Sequence, residues 1–127
     1  MELTTSERII IGKRGEIQFP SGWYVYVGSA LNGIEQRVRR HLSSSKKMHW
    51  HIDYLLQNAQ IVDVFYKESD KREECIVAQK FSESCHGIEG FGCSDCSCRS
   101  HLFYGSEKQL RRIINQIHFL RLIAPVL

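Results

Sequence analysis

Apolar and polar positions alternate with a short period over the first quarter of the chain. Arg8 to Ile11 and Glu16 to Phe19 are β-type runs on either side of Gly12-Lys13-Arg14-Gly15, a spacing that predicts a hairpin. Pro20-Ser21-Gly22 turns the chain into Trp23-Tyr24-Val25-Tyr26-Val27, rich in β-branched and aromatic residues, and Gly28-Ser29 ends that strand. The period then lengthens. A helix starting at Asn32 or Gly33 runs to about Leu42, with Leu31, Ile34, Val38 and Leu42 in one stripe, and Ser43-Ser44-Ser45 ends it. His49 to Gln57 reads as a second helix with Ile52, Leu55 and Leu56 inward. Ile61 to Tyr66 reads as a strand, Glu73 to Phe81 as a third helix and GIEGFGCSDCSC as an ordered loop. His101 to Tyr104 makes a last short strand. From Glu107 to Ile123 the spacing of Leu110, Ile113, Ile114, Ile117 and Leu120 gives a helix with one apolar face, a core element or a partner-binding surface. Strands and helices alternate, so the class is α/β or α+β.

Residues two apart on a strand share a face, so Tyr24 and Tyr26 point one way and Trp23, Val25 and Val27 the other. That suits a sheet buried on one side and used on the other, or two phenols that close a core. On the following helix, Arg37 and His41 are four apart and neighbours at the edge of the apolar stripe, whereas Arg39 and Arg40 project away from it. A phenol, a guanidinium and an imidazole therefore converge beside a Gly-Ser turn. Guanidinium forks match phosphate oxygens, and a phenol with a lowered pKa can take a proton from water. Glu74, with Glu73 as its alternate, is an available carboxylate for a metal ion.

Composition narrows this modestly. The 127 residues suffice for one domain, 1–127, and 43% hydrophobic with 24% charged residues is ordinary for a globular chain. No apolar run nears the roughly eighteen residues of a membrane span, and the start has neither a basic segment nor a cleavage site. The expectation is a soluble cytoplasmic protein with no membrane partner. The net charge of +3 matters less than its distribution, because Val38 to His51 holds Arg39, Arg40, Lys46, Lys47 and three histidines without an acid. Arg40, Lys46, Lys47, His49 and His51 are read as nucleic-acid contacts, against a solvated helix face and loop. His49, His51 and Asp53 also have an HxHxD spacing, of which His49 and Asp53 share a helical face.

Four of five cysteines lie between Cys85 and Cys98. Cys93, Cys96, Cys98 and His101 have C-x2-C-x-C-x2-H spacing, with ligand types that suit Zn²⁺. Structural zinc sites normally join two separated pairs, and Cys85 with His86 is the distant pair this reading offers. The alternative is a tight loop with buried thiols.

With these residues in place, the sequence resembles the GIY-YIG nuclease superfamily. YVGSA at 26–30 is similar to its second motif, Arg37-x3-His41 to the helix arginine and its partner, and Glu74 in REEC to its metal-binding glutamate. GWYVYVGSA, RVRRHL, HWHIDYLL, EEC and GFGCSDCSCRSHLFY together resemble a compact branch whose domain stands alone or is appended to base-excision enzymes. The resemblance covers about 9–104, and 105–127 is the C-terminal helix. It implies a small central antiparallel sheet flanked by helices and a metal-dependent DNA endonuclease, using one Mg²⁺ or Mn²⁺, in DNA repair or recombination. RNA remains a second substrate class. By the resemblance Tyr26 activates water, Arg37 binds the scissile phosphate, His41 orients it or supports proton transfer, and Glu74 holds the metal. The superfamily's first Gly-x-Tyr motif has no match upstream. Gly22-Trp23-Tyr24 carries the letters on the YIG strand itself, so Tyr24 supplies a second phenol there or the first strand is missing. A missing strand would expose a sheet edge for a homodimer, as the C-terminal helix would. It would also fit the other reading, a nucleic-acid-binding module that has lost cleavage.

Overall fold

The computed structural model describes residues 1–12, 15–28, 34–43, 48, 50–66, 74–92, 100–117 and 120–121. The predicted hairpin forms from β2 (Glu7–Ile10) and β3 (Glu16–Phe19), with Ile10 opposite Glu16. It stands beside the main sheet, which consists of β1 (Glu2–Leu3), β4 (Gly22–Tyr26), β7 (Leu102–Gly105) and β6 (His86–Gly87) in the order β1-β4-β7-β6. All three pairings are antiparallel, with Trp23 opposite Glu2 and Tyr26 opposite Leu102. The expectation of a small antiparallel sheet flanked by helices holds, and the fold is α+β.

Strand parity on β4 separates two cores. Leu3, Phe19, Tyr24, Leu102 and Phe91 pack on one face with Ile52 and Leu55. Val27 and Phe103 pack on the other with Val77, Phe81, Leu110, Ile113 and Ile114, and Trp23 and Val25 lean on that cluster. The first face is closed by the hairpin and α2 (His51–Leu55), the second by α3 (Glu74–Ser82) and α4 (Glu107–Gln116). The sheet is thus buried on both sides, which corrects the reading of one side left for use. Phe81 and Phe103 stack with centroids 5.6 Å apart at 21° and join α3 to the sheet.

Other expectations change. The last helix stops at Gln116, and Leu120–Arg121 instead forms β8, which pairs with β5 (Phe65–Tyr66). Leu120 fits helical spacing, but a backbone ladder to a partner more than fifty positions away is invisible to local periodicity. The strand expected over Ile61 to Tyr66 is limited to that pair; before it, Asp63 reaches Arg111 on α4 at 2.7 Å. β6 was not expected, and α2 is shorter than the predicted 49–57. The edge of β4 that a missing strand would bare is lined here by β1, and Met1 extends the ladder to Tyr24. Among the described residues, no helix is long and apolar enough to cross a membrane.

Candidate functional site

Tyr26 is the last residue of β4, opposite Leu102, and precedes α1 (Ile34–Leu42) in the chain. Its ring meets His41 edge-on at 6.1 Å and Phe91 at 6.3 Å between centroids. Two glycines make room for it. A Cβ on Gly28 would lie 3.2 Å from Tyr26 Cε2, and one on Gly92, whose φ is +74°, would lie 3.4 Å from Cε1. Glycine holds that left-handed turn without the steric penalty of a side chain.

Arg37 and His41 share a helical face, as their spacing predicts, and both meet Trp50. Arg37 Cζ lies 4.0 Å from the centre of the Trp50 ring, and the His41 and Trp50 centroids are 5.9 Å apart. Tyr26, His41, Trp50 and Arg37 are therefore consecutive neighbours. Sequence patterning did not single out Trp50, the plate on which the guanidinium lies. An indole face attracts a cation by about 0.5–1 kcal/mol where water reaches it, enough to bias a long side chain's orientation.

What holds Trp50 corrects a second expectation. Arg40 does not project away. Its Nη1 and Nη2 donate to the two carboxylate oxygens of Asp53 at 2.7 and 2.8 Å, and its Cζ is 4.4 Å from the Trp50 ring centre. Asp53 is 0% exposed and also accepts from Trp50 N at 2.8 Å. A buried carboxylate needs this charge and these donors, so it draws the arginine inward. The pair raises the arginine's pKa further through the Asp53 hydrogen bond. Arg40 is accordingly an internal anchor rather than a phosphate contact, and both carboxylate oxygens of Asp53 are engaged by it; His49, the other half of that spacing, lies outside the described residues.

His51 also turns inward. Its Nδ1 accepts from Gly92 N at 2.9 Å, and its ring lies 5.5 Å from Phe91. In the neutral ring this leaves the proton on Nε2. His51 thus fixes the glycine turn beside Tyr26, a role the basic-patch reading did not contain. Tyr24, the proposed second phenol, lies in the core at 1% exposure and donates to Pro20 O at 2.5 Å. Burial, with Tyr104 nearby, raises its pKa above the ordinary value, the wrong direction for a base. It does not join the set around Tyr26.

His101 is buried at the entry to β7, where its carbonyl accepts from Val27 N at 2.8 Å and its N–H donates to Phe91 O at 2.9 Å. Its Nε2 is 3.8 Å from Cys75 Sγ on the first turn of α3. Glu74 opens that helix, and its side chain lies outside the described residues, as do Lys46, Lys47, His49, Cys93, Cys96 and Cys98. Cys85, half of the suggested distant pair, packs against the Phe81–Phe103 cluster, and His86 is exposed on β6. Among the described residues, no three His, Cys, Asp or Glu side chains gather to hold a metal ion.

A cleft of about 220 Å³ runs along β4. Most of its wall is apolar, including Val25, Phe65, Val77 and Leu110, which suits no phosphate. Tyr26, Gly28 and His41 form part of the wall and bring a phenol and an imidazole to it.

A family model described as a domain of unknown function, DUF123, matches residues 1–122. No curated protein and no solved structure matches the chain.

Proposed function

The chain belongs to the DUF123 family, and we propose, from its sequence resemblance and the geometry around Tyr26, that it is a metal-dependent phosphodiesterase of the GIY-YIG type acting on DNA. The observation that carries the reading is the run of contacts from Tyr26 through His41 and Trp50 to Arg37, drawn from β4, α1 and the start of α2. Each group has a role that its chemistry supports. The Arg37 guanidinium, steadied on the indole, binds the scissile phosphate through its fork of donors. The Tyr26 phenol activates the attacking water, and His41 beside it orients the phosphate or relays the proton. Gly28 and Gly92 let the backbone close on both edges of the Tyr26 ring, which fixes its position beside His41.

Glu74 would hold one Mg²⁺ or Mn²⁺. Such ions keep several waters and take further oxygens from substrate, so one protein carboxylate suits them. What supports this choice is the neighbourhood of the start of α3. Cys75, the next residue, approaches His101; a Cβ on Gly92 would lie 3.2 Å from His101 Cβ, on the turn that flanks Tyr26. When bound, the ion would supply charge that offsets the negative charge growing on the leaving oxygen.

One observation favours a second reading, a nucleic-acid-binding module without cleavage. The burial of Tyr24 leaves the set with one phenol where the superfamily pattern has two. Incubation with Mg²⁺ or Mn²⁺ and a panel of nicked, branched, flap and single-stranded DNA, with matched RNA, separates the two. Cleavage that disappears in Glu74→Ala supports the first. Salt-sensitive binding with every substrate left intact supports the second, and cleavage that persists in Glu74→Ala rejects the assigned metal ligand.

A further inference from the structure

Cys75 and His101 are 26 residues apart in sequence and belong to different elements, yet Sγ and Nε2 face each other across 3.8 Å. His101 is 3% exposed, and its backbone is pinned by both Phe91 and Val27, so its ring is held in one place. Two ligands of a tetrahedral Zn²⁺, with Zn–S about 2.3 Å and Zn–N about 2.0 Å, stand about 3.6 Å apart. The observed separation matches that edge closely. The hydrogen bond from His101 N to Phe91 O also ties together the two ends of the segment between them, which carries Cys93, Cys96 and Cys98 in sequence.

We propose that Cys75 and His101 are two ligands of a structural Zn²⁺ site, with Cys75 as the distant ligand that the C-x2-C-x-C-x2-H spacing lacked. Cys85 and His86 are poor substitutes, one packed in the second core and the other exposed. Zinc at this point would clamp the first turn of α3 to the entry of β7, one residue from Glu74 and beside the Gly92 turn. The site does not rest on the phosphodiesterase reading. A structural ion with its coordination filled by protein takes no part in chemistry.

Metal content of the untagged full chain, purified without chelator, tests this independently of cleavage. About one zinc per chain is expected, falling at least tenfold in Cys75→Ser and unchanged in Cys85→Ser. Serine variants of Cys93, Cys96 and Cys98 identify the remaining ligands, and at least one should lose the metal. If Cys75→Ser fails to fold, Co²⁺ uptake by the unaltered chain replaces it; tetrahedral visible bands with sulfur-to-cobalt charge transfer are expected. A chain that carries no zinc and takes up no Co²⁺ overturns the site. So does full zinc in Cys75→Ser, full zinc in all three loop variants, or a cobalt spectrum without sulfur ligation.

Discussion

Arg40→Met removes the guanidinium from the Asp53 carboxylate and from the Trp50 face while keeping an unbranched apolar side chain. Asp53 is 0% exposed, so the substitution leaves a buried carboxylate whose remaining described bond is from Trp50 N at 2.8 Å. Breaking one side of a buried ion pair costs about 3–5 kcal/mol, because the other charge stays where water cannot reach it. The reverse change is milder. Arg40 is 27% exposed in its side chain, so after Asp53→Asn it can turn toward water, and the asparagine oxygen can still accept from Trp50 N. The loss is then of ordinary charge-assisted hydrogen bonds, about 1.5–3 kcal/mol. The order of the two costs follows from burial alone. Adding Asp53→Asn to Arg40→Met should recover part of the stability, since the double variant buries no unpaired charge. Urea unfolding of the four proteins, with equal m values as the check on two-state behaviour, reads these differences from the midpoints. Arg40→Met costing less than about 1 kcal/mol, or Asp53→Asn costing as much as Arg40→Met, would refute the anchor.

Other consequences concern the two tyrosines and the glycine turn. Tyr24→Phe loses the hydrogen bond to Pro20 O, for about 1–2 kcal/mol of stability in a thermal or urea melt. Tyr24 also sets an alkaline signature. Burial raises its phenol pKa above the ordinary 10.0, so the folded chain keeps a proton that the unfolded chain releases. Its contribution is complete below pH about 10 and is lost above it, at up to about 1.4 kcal/mol per pH unit. Stability of Tyr24→Phe measured across that window should fall less steeply than that of the unaltered chain. Gly92→Ala places a Cβ at φ +74° and 3.2 Å from His101 Cβ, and should cost at least about 1–2 kcal/mol by urea unfolding. Arg37→Ala removes no buried charge, so stability should change by about 1 kcal/mol or less while salt-dependent DNA binding falls.

The local patterns were the legible part of this chain. Hairpin, aromatic strand, the neighbouring Arg37 and His41, and the apolar face of α4 all come from spacing within a few residues, and each stands in the structure. The errors came from distant partners. Parity assigned Tyr24 and Tyr26 to one face correctly, but burial under the hairpin and α2 decides that Tyr24 is core while Tyr26, past the covering, meets His41. Helical geometry alone turned Arg40 outward, and a buried carboxylate thirteen residues later turned it back. The spacing from Trp50 to Asp53 did hold a usable signal, an acid three residues after a helix cap. Nothing local joins Cys75 to His101 or Leu120 to the strand ending at Tyr66, because those contacts exist only after the chain has folded.

The central claim is that Tyr26, and not its neighbour on the same face, serves phosphodiester chemistry. Plasmid nicking with Mn²⁺ by the unaltered chain, Tyr26→Phe and Tyr24→Phe, at a temperature where all three are folded, tests it most directly. Loss of at least 100-fold in rate for Tyr26→Phe, with Tyr24→Phe within about threefold of the unaltered chain, is the predicted result. Tyr26→Phe nicking at the unaltered rate, or Tyr24→Phe folded yet inactive, would contradict it.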